Sequence, residues 1–241
     1  MSSTSEVGHA KNVANLQKIT QQIATFNLYN PPVDELKISN LEALHNDANA
    51  KLTEVGNKRS LNKNAIVARQ TAFEKLNTTC TSIINLLEVM GLPQGTITQV
   101  QSLTKTIRGD YKKSQPTGEP GGEAPNTSST SRQSYTSRTE NFGLLIQMLS
   151  TLPAYAPNEE DIKLNNLTTY HDSLEAATLL VDQTESELNS KMIERDKMLY
   201  AENTGVYDIA IKIKKYVKSL YGSTSPEFTT VSGIKFTNIR Q

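Results

Sequence analysis

Residues 155–171 read YAPNEEDIKLNNLTTYH, and residues 29–45 read YNPPVDELKISNLEALH. At an offset of 126, Tyr29 falls on Tyr155, Pro31 on Pro157, Lys37 on Lys163, Asn40 on Asn166, Leu41 on Leu167 and His45 on His171. That is six identities in seventeen positions, with Leu36/Ile162 and Ile38/Leu164 as conservative pairs. The register extends backwards, where Leu16, Ile19, Ile23 and Phe26 fall on Phe142, Leu145, Leu149 and Leu152. It extends forwards, where Ile66, Arg69 and Phe73 fall on Met192, Arg195 and Leu199. After a five-residue slip, GLPQGTITQVQSL (91–103) aligns with GSTSPEFTTVSGI (222–234). Self-similarity over this length, with the apolar spacing kept, reads as a tandem duplication of one helical unit.

The expected organisation is a disordered N-terminus at 1–8, a helical unit at 9–109, a flexible linker at 110–134 and a second helical unit at 135–241. The linker reading rests on SQPTGEPGGEAPNTSSTSRQS (114–134), which holds almost nothing that can be buried to offset its ordering entropy. Within a unit, Val13, Leu16, Ile19, Ile23 and Phe26 share one helical face, and NPP (30–32) stops that helix. A long helix follows. No Pro or Gly occurs from Glu159 to Thr204, and about forty helical residues span roughly 60 Å. The spacing Ile66, Arg69, Phe73, Leu76, Cys80, Ile83, Leu87, Met90 alternates three and four, as in a bundle seam. NTTCTS (77–82) is the expected weak point of that seam, and ENTG (202–205) is the expected break in the second unit. A last helix, VYDIAIKIKKYVKSLYG, ends at Gly222, and the tail SPEFTTVSGIKFTNIR alternates apolar and polar residues. The fold class is therefore all-α: a tandem duplication of a three-helix unit with long amphipathic helices, an elongated bundle. In outline each unit resembles a spectrin-type repeat, without the Trp typical of those repeats.

Composition narrows the function. Hydrophobic residues are 36% and aromatics 6%, there is no Trp, and the mean hydropathy is −0.47, which suits thin helices that each bury one stripe. Lys+Arg and Asp+Glu are both 25, so no basic excess points to nucleic acid. The one cysteine, Cys80, excludes an internal disulfide and fits a reducing compartment. MSSTSEVGHAKN has no apolar h-region, and no apolar run reaches the roughly 18–20 residues that span a bilayer. The expectation is a cytoplasmic chain with no stable membrane insertion.

RQSYTSRTENF, LPAYAPNEEDIKL, ERDKMLYAENTGVYDIAIKIKKYVKSLYG and SPEFTTVSGIKF resemble a group of uncharacterised two-repeat helical proteins of Bacteroidota. The resemblance lies mainly in the second unit. It implies a bacterial cytoplasmic protein and brings no activity and no site.

Four groups of residues are candidates for chemistry. His45 and His171 hold the same repeat position, with Asp47 and Asp172 nearby, and could form a metal or acid–base pair drawn from both halves. The plainer reading is a polar residue beside a duplicated helix seam. Arg69 and Arg195 also match and fall on apolar-face positions, where they either bind an anion or partner, or make register-fixing ion pairs. Lys212, Lys214, Lys215 and Lys218 crowd one helix, either as an anionic-surface contact or as a solvated face paired with the acidic residues of 159–187. Cys80 on the seam reads as a small buried hydrophobe. No HExxH, GxSxG, GxxxxGK[ST] or cysteine cluster occurs. No catalytic residue, cofactor or metal is therefore expected. The leading function is a non-enzymatic interaction or structural protein that binds itself or a protein partner through long helical faces. The alternatives are a membrane-active, pore-former-like protein, and a metal or small-ligand protein with a site between the two units.

Overall fold

The computed structural model describes residues 4–109 and 134–238. Among these residues all regular structure is helical, which is the all-α class expected. In chain order the elements are α1 (Thr4–Ile23), a 3-10 turn at Asp34–Leu36, α2 (Ile38–Phe73), α3 (Leu76–Val89) and α4 (Gln94–Arg108). Then come α5 (Tyr135–Ser150), a second 3-10 turn at Glu160–Ile162, α6 (Leu164–Tyr200), α7 (Val206–Tyr221) and α8 (Pro226–Ser232).

The repeated phrase makes the same local structure twice. Tyr29 donates its hydroxyl hydrogen bond to the Leu36 carbonyl at 2.8 Å, and Tyr155 donates to Ile162 at 2.6 Å. The Asn40 side chain donates to the Asp34 carbonyl at 2.7 Å, and Asn166 to that of Glu160 at 2.6 Å. Lys37 pairs with Asp34 at 2.6 Å and Lys163 with Glu160 at 2.5 Å, both in water and worth little individually. Leu41 and Leu167 are fully buried. The acidic residues Asp34 and Glu35, and Glu160 and Asp161, form the 3-10 turns, and α2 and α6 begin after them.

Packing does not follow the 9–109 and 135–241 division of the sequence. The chain forms two compact units, Met1–Lys63 with Thr184–Gln241, and Asn64–Gln183. Each combines the front of one sequence repeat with the back of the other. The physical reason is the length of α2 and α6, 36 and 37 residues, which exceeds what one small core can cover. Leu41 and Ala48 of α2 enter the first core, whereas Phe73 enters the second. Leu167 and Leu174 of α6 enter the second, whereas Leu199 and Tyr200 enter the first.

In the first unit, Leu16, Ile19 and Ile23 of α1 pack with Leu36, Leu199 and the α7 face of Val206, Ile209, Ile213 and Val217. Here α2 and α6 run antiparallel, laced by Lys51–Glu194 at 2.8 Å, Lys58–Glu187 at 2.6 Å and Asn62–Thr184 at 3.1 Å. In the second unit, Phe142, Leu145 and Leu149 of α5 pack with Leu76, Cys80, Ile83 and Leu87 of α3 and with Ile107 of α4.

Several expectations change. Residues 4–8, expected to be disordered, lie in α1. Each sequence repeat carries four α-helices rather than three: the first has an added break at Glu74–Lys75 and the second adds α8, while the break expected at 202–205 falls at 201–205. NTTCTS is not the weak point: Thr79 and Thr81 return their hydroxyls to the Lys75 and Asn77 carbonyls, and Cys80 is buried, so α3 stays intact. The tail begins as a helix, because Ser225 caps the Phe228 N–H at 3.0 Å and Pro226 occupies the first turn. The linker expected at 110–134 lies outside the described residues except Ser134, whose side chain caps α5.

Candidate functional site

His45 and His171 each line a depression of their own unit. His45 sits with Gln17, Thr20, Gln21, Glu42 and Asn46. His171 sits with Thr139, Glu140, Glu175, Thr178 and Asp182. The difference between them is chemical. His171, Asp172 and Glu175 each offer a ligand atom, all within 4.8 Å of one another. The aligned residues of the first repeat are His45, Asn46 and Asn49, with amides in place of carboxylates. His171 is positioned from α5: its Nε2 lies only 2.9 Å from where a Cβ on Gly143 would stand, so glycine there lets the imidazole close on the helix. The triad has the donor types for a divalent cation, yet both carboxylates are exposed to water.

The matched arginines behave differently. Arg195 is 2% exposed, and its Nε and Nη2 reach Asp196 Oδ1 at 2.8 and 2.7 Å. Around it is a buried polar group that includes His9, a residue the sequence reading passed over. His9 Nδ1 is 2.8 Å from the Tyr200 hydroxyl, and His9 Nε2 is 3.8 Å from Asp196. Asn12 donates to the Thr237 carbonyl at 2.8 Å and accepts from its N–H at 2.9 Å, as a strand neighbour would, and so pins the tail to α1. The sequence signal available was spacing, since His9 and Asn12 continue the three-and-four pattern of Leu16, Ile19 and Ile23 towards the N-terminus.

Arg69 is half-buried, and its guanidinium lies 4.1 Å from the Tyr135 ring centroid. Two further arginines stand in the same unit. Arg138 donates through Nε to the Ile107 carbonyl at 3.1 Å and through Nη2 to Asn77 Oδ1 at 3.2 Å. Arg108 donates to the Asn77 carbonyl at 3.3 Å and to the Thr81 hydroxyl.

Of the four lysines, three are engaged within the first unit. Lys212 pairs with Glu35 at 2.5 Å, which lies outside the acidic stretch expected to face it, and donates to the Asn203 carbonyl at 2.9 Å. Lys214 donates to the Ile234 carbonyl, and burial holds its ammonium below the usual lysine range. Lys218 lies over Phe228 at 5.8 Å, and Lys215 is exposed.

Cys80 is buried as expected, and burial pushes its thiol from 9.0 up to about 11. Burial likewise raises the Tyr155 and Tyr170 phenols from 10.0 to about 12. These raised groups keep their protons in the folded state, so their contribution is full below the unfolded values and is lost as pH rises through the folded ones. Urea midpoints are expected to stay level from pH 7 to about 9 and then fall towards pH 12, with a weaker fall in Tyr155→Phe. A midpoint unchanged at pH 11 contradicts this.

No family model, curated protein or solved structure matches the chain.

Proposed function

We propose that the chain is a non-enzymatic interaction or structural protein that uses its long helices to bind itself or a protein partner. The observation that carries this reading is apolar surface left in water on those helices. Leu61 and Val67 of α2 are exposed, as are Leu179, Leu180 and Ile193 of α6, Ile193 at 70%. Single exposed apolar residues are ordinary, but long helices bearing several are suited to a helical or protein partner. A net charge of zero supports close association of copies. The recurrence of one hydrogen-bonding pattern 126 residues apart supports tandem duplication as the origin of the chain. The single buried cysteine supports a reducing, cytoplasmic setting. The pore-former alternative finds no support, since no helix among the described residues is long and apolar enough to cross a membrane.

The test joins sedimentation velocity of the pure chain to cross-linked capture from its native cell. A concentration-dependent oligomer, or one stoichiometric partner, is expected, and Leu179→Glu with Ile193→Lys should lower the apparent association roughly tenfold or more. A monomer at every concentration with no stoichiometric partner overturns the reading.

A further inference from the structure

We infer that the second unit carries an oxyanion site formed by Arg108 and Arg138, with Arg69 flanking it, suited to a phosphate-type dianion. Arg108 is the last residue of α4 and Arg138 lies in the first turn of α5. Asn77 of α3 brings them together, since its carbonyl takes Arg108 and its side-chain oxygen takes Arg138. An aromatic pair then links Arg138 to Arg69. Phe73 and Tyr135 meet edge to face at 4.8 Å, Arg138 lies 5.3 Å from the Phe73 centroid, and Arg69 lies 4.1 Å from that of Tyr135.

Three guanidinium groups are thus gathered, and among the described residues none of them meets a carboxylate. Their partners are carbonyl, amide and hydroxyl oxygens and aromatic faces. Among the described residues the Nε atoms of Arg69 and Arg108 are buried and meet no acceptor. A guanidinium held in a buried setting without a counter-charge is costly, and an oxyanion on its remaining N–H donors relieves that cost.

The first unit supplies an internal comparison. There the residue aligned with Arg69 is Arg195, which is paired with Asp196. The residue aligned with Asp196 is Gln70, and the residue aligned with Arg138 is Asn12. One repeat position therefore has a balanced ion pair in the first unit and unbalanced positive charge in the second. Capping of carbonyls uses part of the Arg108 and Arg138 guanidinium forks and leaves further N–H donors, and Arg69 meets a ring face; such donors match phosphate oxygens in bidentate fashion. Three charges in a chain of zero net charge fit a small ligand rather than a nucleic-acid track.

The test uses the full chain and inorganic phosphate at fixed ionic strength made up with chloride. Thermal melts and phosphorus NMR titrations are expected to show saturable binding. Arg108→Gln and Arg69→Gln should each weaken it roughly tenfold, while Lys105→Gln, an equal charge change one turn away on α4, leaves it unaltered. Circular dichroism checks folding. If Arg108→Gln fails to fold, Arg69→Gln decides, because its contact is a ring face rather than a helix end. Response without saturation, or equal response in all three variants, overturns the site. Tighter binding of phenyl phosphate than of the free ion supports a phosphomonoester ligand, and the reverse order supports phosphate itself.

Discussion

Gly205→Ala is expected to lower stability by about 3 kcal/mol, towards the upper end of what overpacking costs. Gly205 joins α6 to α7, and its N–H donates to the Ala201 carbonyl at 2.8 Å. Its backbone is extended, at φ −70 and ψ 155, so the torsion suits any residue. Space is what demands glycine. A Cβ there would stand 2.6 Å from the Ala201 nitrogen, 2.8 Å from its oxygen and 2.9 Å from the Leu199 carbonyl. All three are backbone atoms and cannot rotate aside. Relief must push α7 away from α6 and disturb Val206 and Ile209, both in the first core. Gly56→Ala provides the contrast. Gly56 lies inside α2, and a Cβ there meets nothing within 4 Å. Alanine should stabilise the helix by about 0.5–1 kcal/mol. Urea unfolding of the two variants should therefore move in opposite directions. An unchanged midpoint for Gly205→Ala would falsify the close approach at the α6–α7 turn.

Local structure was legible because it is written in short range. The Tyr, Lys, Asn and Leu of the repeated phrase each act on residues a few positions away, so their recurrence carries the turn with it. The buried faces of α1 and α5 follow from spacing alone, since Leu16, Ile19 and Ile23 and their counterparts Phe142, Leu145 and Leu149 are all in the cores. The exchange of halves was not legible. A helix of 36 residues shows the same stripe whichever core it joins, and only tertiary contact decides where one core ends. Nor were the polar groups. His9 meets Tyr200 across 191 positions, and Arg138 meets Asn77 across 61. Periodicity says that such a residue lies near a seam and says nothing of its partner. Equal repeat position likewise gave His45 and His171 equivalent local settings, one in each unit, each lining its own depression.

The Arg195–Asp196 pair gives the second large effect, and here the order of the variants matters more than any single value. Neighbours in a helix do not normally face each other. The pair forms because the long Arg195 stem lies buried while its guanidinium turns back to a carboxylate that is 49% exposed. Asp196→Ala removes the oxygen that Arg195 reaches through both Nε and Nη2, and that His9 also approaches. Removing one partner of a fully buried pair costs about 3–5 kcal/mol, and the half-exposed carboxylate, with the further contact that Arg195 keeps, brings the expectation down to about 2–3 kcal/mol. Arg195→Met takes away the charge that needs a partner and keeps most of the stem volume, so it should cost only about 1 kcal/mol. The double variant should resemble Arg195→Met alone, because Asp196 then has water to face. Chemical denaturation of all three, set against the parent chain, measures the coupling directly. If Arg195→Met proves the most damaging of the set, the guanidinium holds the first unit together through its other contacts, and the carboxylate is incidental.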